Sequence, residues 1–289
     1  MNNAAPDWFT KAISAPAESR FVEVAGTSIH YLSWNAQDTH KPGLLFAHGF
    51  RAHARWWSFV APFFLSRFRV VALDFAGMGD SGNRPEYHPT AFALDIAGVI
   101  EHAGLGRTTL VGHSFGGGCV VRACIDHGQL VQRAVVVDTY LPVPEIQRPD
   151  APFQPRPKRV YPTLAAAREK FRLVPEQNCA APYVLDYVGG HSIKQVEGGW
   201  TWKFDENFIS QRRSAAEESA LLVTALSQLD VPVTFIYGDR SVVVSRAHAQ
   251  AIVSRLRNGH GPIAIPQSHH HVLLDQPLSL VSALRAALY

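Results

Sequence analysis

Cysteine and methionine are scarce in this 289-residue chain, at three and two copies. Cys119, Cys124 and Cys179 are an odd number without paired metal-type spacing, and a chain of this length builds a core without disulfide staples. Free thiols are expected. Long apolar runs are also missing: the richest, residues 43–47 and 69–76, are short and broken by glycine or charge. A spanning helix needs ~18 consecutive apolar residues, so a helical membrane span is excluded. Asp7, Lys11, Glu18 and Arg20 interrupt the N-terminal segment, leaving no apolar stretch for a secretory signal. The expected compartment is the cytoplasm. Nor is there a large excess of one charge: 27 Lys+Arg against 24 Asp+Glu leaves +3, too little to indicate a nucleic-acid partner. Arg156, Lys158 and Arg159 form a local basic cluster that reads as a solvated loop.

What is present is an ordinary globular composition, 47% hydrophobic and 18% charged. From Phe21 short β-branched runs alternate with helical stretches, the pattern of an α/β fold on a mainly parallel sheet. Residues 21–25 and 29–34 form an antiparallel hairpin across Gly26-Thr27. Residues 43–47, 68–73, 108–111, 134–137 and 233–237 are nearly all apolar, as strands buried on both faces are. Helix-compatible spacing covers 53–64, 89–102, 115–127 and 245–256, and a last helix, 277–288, opens on Pro277. The alternation stops after Asp138. From Thr139 to Arg212 the chain is rich in proline, arginine and aromatics, too long for a bare loop, and reads as an insertion.

Gly112-His113-Ser114-Phe115-Gly116 follows the strand 108–111 and precedes a helix. That context is required of a G-x-S-x-G nucleophile elbow, where small residues let a strained turn pass close to its own chain. It also puts Ser114 at a helix N-terminus, where backbone N–H groups favour developing negative charge. A serine hydroxyl needs a base, and the stretch His269-His270-His271 before Pro277 offers three candidates. A metal site made of this triplet is disfavoured, because three adjacent side chains do not easily converge on one ion.

With these motifs the chain resembles the α/β-hydrolase superfamily over residues 21–138 and 214–289. The resemblance implies a mostly parallel, eight-stranded sheet with flanking helices and an inserted cap. The family's catalytic histidine lies seven residues before the proline that opens the final helix, which selects His270. Leu44-Leu45-Phe46-Ala47-His48-Gly49-Phe50 resembles the family's strand and His-Gly turn, making Phe50 and Phe115 the backbone donors of an oxyanion hole. Asp74-Phe75-Ala76-Gly77-Met78-Gly79-Asp80-Ser81 matches a structural turn of the family. No cofactor and no metal are implied.

The third triad member departs from the commonest family pattern, which sets a carboxylate three residues after the glycine ending strand 233–237. That position is Ser241, which carries no negative charge. Two acids remain: Asp138, after strand 134–137, and Asp239, next to Gly238. Some family members carry the acid after the earlier strand with a serine at the later site, and this sequence resembles that variant.

The expected organisation is therefore a leader (1–20), a core (21–138 and 213–289) and a cap (139–212). Trp57, Trp200 and Trp202 are candidates for a substrate pocket, as are Trp56 and the cap aromatics Phe153 and Phe208. Family dehalogenases and epoxide hydrolases use an aspartate nucleophile, so Ser114 implies acyl transfer to water. An apolar carboxylic ester is the expected small-molecule substrate. Carbon–carbon or thioester cleavage with the same triad, or a receptor that retains the triad without turnover, are the alternatives.

Overall fold

The computed structural model describes residues 4–144, 146, 158–179, 181–207 and 215–289. Eight strands form one sheet in the order β1-β2-β4-β3-β5-β6-β9-β10. The antiparallel edge is β1 (Glu18–Val24) with β2 (Thr27–Trp34), and β2 also runs antiparallel to β4 (Arg69–Leu73). The remaining pairings are parallel, through β3 (Gly43–Ala47), β5 (Thr108–His113), β6 (Val131–Val137), β9 (Val233–Gly238) and β10 (Gly259–Ile265). The expected strands are all present, most of them extended by one to three residues.

Both faces of the sheet are covered, which explains why β3 and, after Arg69, β4 read as apolar runs rather than alternating ones. Leu45, Ala47, Leu110, Val136 and Phe235 pack on one side with α2 (Pro89–His102), α3 (Phe115–Asp126) and α7 (Arg246–Arg255). Leu44, Phe46, Val111, Val135 and Ile236 face the other side, toward the last helix, α9 (Pro277–Leu288). Strand periodicity sorts the two cores: neighbours such as Leu44 and Leu45 enter opposite layers.

Two expectations need correction. The helix over 53–64 is instead two 3₁₀ turns, Ala54–Trp57 and Ala61–Phe64, the second with Pro62 in its opening positions. A carboxylate oxygen of Asp74 accepts the Ala54 N–H, and proline removes a donor that a continuous helix would use. Residues 1–20 are more than a leader. The described part contains α1 (Asp7–Ile13), and β1 begins at Glu18. Phe9 of α1 is buried against the rings of Phe59, Tyr183 and Tyr187.

The insertion after β6 carries α4 (Leu164–Arg168), α5 (Pro182–His191) and an antiparallel hairpin of β7 (Ile193–Val196) and β8 (Gly199–Trp202). The chain returns to the core through α6 (Ala215–Gln228). Arg156, Phe153, Phe208 and the 212/213 boundary lie outside the described residues. Specific bonds fix the insertion to the core. His53 Nε2 donates to the Val188 carbonyl, and Gly79 N–H to the Lys203 carbonyl. Asp205 N–H reaches the Gly77 carbonyl, and Tyr87 donates to the Asp205 carboxylate.

Removing the Phe9 ring leaves a cavity bounded by α1, α5 and the 3₁₀ segment. Phe9→Ala is expected to lower the unfolding free energy by about 3 kcal/mol, measured by urea denaturation. An unchanged value would mean that α1 does not contribute to the core.

Candidate active site

β5 passes into α3 through Ser114, which has φ 53° and ψ −120°. A non-glycine residue at positive φ is strained, and the surroundings hold it there. Ser114 N–H donates to the Val137 carbonyl at 2.9 Å, tying the turn to the end of β6. One turn along, a Cβ on Gly116 would stand 2.5 Å from the Ala47 carbonyl oxygen, so glycine is what lets α3 start so close to β3.

His270 lies between β10 and α8 (Val272–Asp275). Its carbonyl accepts from Val272 N–H and from His113 Nε2–H, each at 2.9 Å. The imidazole links two elements: Nδ1 is 2.8 Å from Asp138 Oδ1, and Nε2 is 2.9 Å from Ser114 Oγ. Asp138 follows β6 at φ 45°, a second strained position. Its Oδ2 accepts the Gly238 N–H at 2.8 Å, and its Oδ1 accepts the Ser241 hydroxyl at 2.7 Å. Ser241 Oγ accepts from the N–H groups of Val243 and Val244, leaving its own proton for Asp138. With the Asp138 carboxylate accepting at every contact, the His270 proton sits on Nδ1. Nε2 is then the acceptor facing the Ser114 hydroxyl.

Ser114, His270 and Asp138 are thus joined in one line, with Asp138 and His270 buried and Ser114 partly exposed. Asp239, the other acid considered, turns elsewhere: its Oδ1 accepts the Ser268 N–H at 3.2 Å and braces the loop that carries His270.

The Phe50 turn rests on His48. Phe75 N–H donates to His48 Nε2 at 3.1 Å, so the proton is on Nδ1, which donates to the Gly49 carbonyl at 2.7 Å. Burial holds the His48 pKa below its ordinary value, which suits this neutral tautomer. Phe50 and Phe115, the two residues whose N–H groups were expected to form the oxyanion hole, lie close together, their rings 6.3 Å apart. Behind the turn, Asp74 is buried and accepts from Asp80 N–H, Ala54 N–H and the His30 ring. Burial by itself would raise its pKa. The hydrogen bond from His30 and the histidine rings gathered around the carboxylate outweigh that effect and bring it to about 2.

The tryptophan expectations divide. Trp57 is fully enclosed and stacked on Phe46 at 4.8 Å. It belongs to the core rather than to a substrate pocket, because its 3₁₀ turn directs the ring onto the sheet. Trp202 is half-buried against Tyr161 and Phe171 of the insertion. Trp200 pairs with Tyr161 through two backbone hydrogen bonds of 2.8 Å. The brace from His113 to the His270 carbonyl was not legible in the sequence, since the residue after Gly112 shows no periodic signal of a partner 157 positions away.

The family model described as "Alpha/beta hydrolase family" matches residues 44–284. Human "Epoxide hydrolase 4" is 28% identical over 120 residues, which is 40% of this chain and only 33% of that protein. The 2-(acetamidomethylene)succinate hydrolase of Mesorhizobium japonicum (strain LMG 29417 / CECT 9101 / MAFF 303099) is 28% identical over 236 residues, 80% of this chain and 82% of that one. Among solved structures, the thioesterase domain from the curacin biosynthetic pathway superposes with a TM-score of 0.74. It is 22% identical and covers 93% of this chain and 99% of its own.

The lowered Asp74 pKa fixes a sign for acid stability. A carboxyl with a depressed folded pKa stabilises the fold above its unfolded value and loses that contribution as pH falls toward the folded one. The stability gap between the wild type and Asp74→Asn is therefore expected to narrow by about 2 kcal/mol between pH 6 and about pH 2, measured by urea denaturation. A gap independent of pH would contradict the ionised network.

Proposed function

Because the chain belongs to the alpha/beta hydrolase family, we propose that it is a serine hydrolase cleaving a carboxylic ester through an acyl-enzyme on Ser114. The observation that carries this reading is the continuous line of hydrogen bonds from Asp138 through His270 to a partly exposed Ser114.

In this reading His270 Nε2 takes the Ser114 proton as Oγ attacks the ester carbonyl. Asp138 holds the imidazole in the tautomer required and stabilises the imidazolium that forms. Ser241 and the Gly238 N–H keep the Asp138 carboxylate oriented. The developing oxyanion is assigned to the backbone N–H groups of Phe50 and Phe115, the second at the start of α3, where the helix dipole favours negative charge. His270 then gives its proton to the leaving alcohol, and a water activated by the same nitrogen releases the acid. Recognition of an apolar acyl group is assigned to the insertion carrying Trp200 and Trp202. In support, its hairpin end is tied to the Gly77–Gly79 turn beside the site.

Ser114→Ala is expected to abolish labelling by a fluorophosphonate probe and to lower kcat on p-nitrophenyl esters by on the order of 10⁴-fold or more. Asp138→Asn should lose on the order of 10⁴-fold in kcat, whereas Asp239→Asn should remain within about tenfold of the wild type. Abolition of turnover by Asp239→Asn alone would overturn the triad assignment. A series of p-nitrophenyl esters of increasing chain length tests the acyl preference. Strong labelling without multiple turnover on any member would replace the esterase reading with a receptor.

A further inference from the structure

Two buried histidines near Ser114 have ring nitrogens that the hydrolytic scheme does not use. His113 lends Nε2 to the His270 carbonyl, but its Nδ1 is buried without a hydrogen-bond partner among the described residues, and so are both ring nitrogens of His271. The backbone carbonyls of Val174 and Pro175 lie close enough to His271 to act on it as weak hydrogen-bond acceptors that raise its pKa, but at neither ring nitrogen is the contact short and straight enough to be a full hydrogen bond. A neutral imidazole always carries one donor and one acceptor, and leaving such groups unpaired away from water is costly. Unused nitrogens on neighbouring rings therefore call for a reason.

The rings face one another. Centroids of His113 and His270 are 5.0 Å apart, those of His270 and His271 4.9 Å, and those of His113 and His271 5.6 Å. One nitrogen from each lies within 4.8 Å of the other two. The sequence triplet 269–271 does not itself converge, because His269 turns to Asp275 at 3.0 Å. β5 supplies the third ring instead. Zn–N bonds of about 2.0–2.1 Å require the nitrogens to come closer than 4.8 Å, which rotation of the imidazoles can provide. Uncharged imidazoles suit zinc, copper and nickel and have little to offer magnesium or calcium.

We propose that His113, His270 and His271 form an inhibitory site for a soft transition-metal dication such as Zn²⁺ or Cu²⁺. Both nitrogens of His270 already serve the line from Asp138 to Ser114, so coordination through either one removes that histidine from it. The metal binding stands on the three rings alone. The inhibition rests on the serine-hydrolase reading.

The test is calorimetric titration of Zn²⁺ into full-length protein pre-treated with EDTA and then freed of chelator, alongside His271→Gln, His271→Phe and His269→Gln. His271→Phe keeps a ring in the cavity but removes its nitrogens, and near-ultraviolet circular dichroism checks that each variant is folded. One Zn²⁺ per chain is expected, weakened about tenfold or more in both His271 variants and retained in His269→Gln. Cu²⁺ should bind more tightly than Zn²⁺. Zn²⁺ should also suppress p-nitrophenyl ester hydrolysis reversibly, with EDTA restoring the rate and His271→Phe needing about tenfold more metal. No binding to the wild type, or equal binding to the folded His271 variants, would overturn the site. Loss of binding in His269→Gln would move it to the partly buried His269–Asp275 pair and overturn it equally. Histidine-dependent binding without any ester turnover would leave the metal site standing and remove the esterase reading instead.

Discussion

Ser114 N–H donates to the carbonyl of Val137, and most of the site depends on that bond. It closes the parallel pairing of β5 with β6, in which His113 stands opposite Val137, and makes both strands end at the same edge. Ser114 and Asp138 then leave the sheet side by side, each at positive φ. Parallel strands share a direction, so their C-terminal ends form a single rim, and groups at strand ends become neighbours without being neighbours in sequence. Strain at the two residues persists because the sheet holds their backbones from behind.

The same rim explains why Asp138, rather than Ser241, meets the His270 ring. β9 lies next to β6, so the Gly238 N–H and the Ser241 hydroxyl both reach the Asp138 carboxylate. The carboxylate stands at the end of β6, and the end of β9 supplies hydrogen bonds to it. Asp239 is only two residues from Ser241, yet its side chain goes to the far side of the turn and supports the loop of His270. Acid position is therefore a matter of which strand end the histidine loop passes over.

A second layer of polar groups stiffens the Phe50 side. His48 joins the Gly49 carbonyl to the Phe75 N–H, while Asp74 gathers Ala54, Asp80 and His30. The insertion is fastened to the same turn at Gly77 and Gly79. Buried polar networks of this kind tolerate little change, because each lost partner leaves a group unpaired away from water.

Much of this was legible in the sequence, for definite reasons. Strands covered on both faces must be apolar throughout, so β3 and β4 announced themselves. The elbow needs glycine where backbones approach, so Gly112 and Gly116 marked Ser114. Those are constraints a short stretch imposes on itself. The choice of His270 among three adjacent histidines came instead from the resemblance to the α/β-hydrolase family. Tertiary structure decided the rest: that Asp138 rather than Asp239 meets His270, that Trp57 faces the core, that α1 docks through Phe9, and that His113 joins His270 and His271. Each of these depends on which surface a side chain meets, and that is set only when the separate elements are packed together.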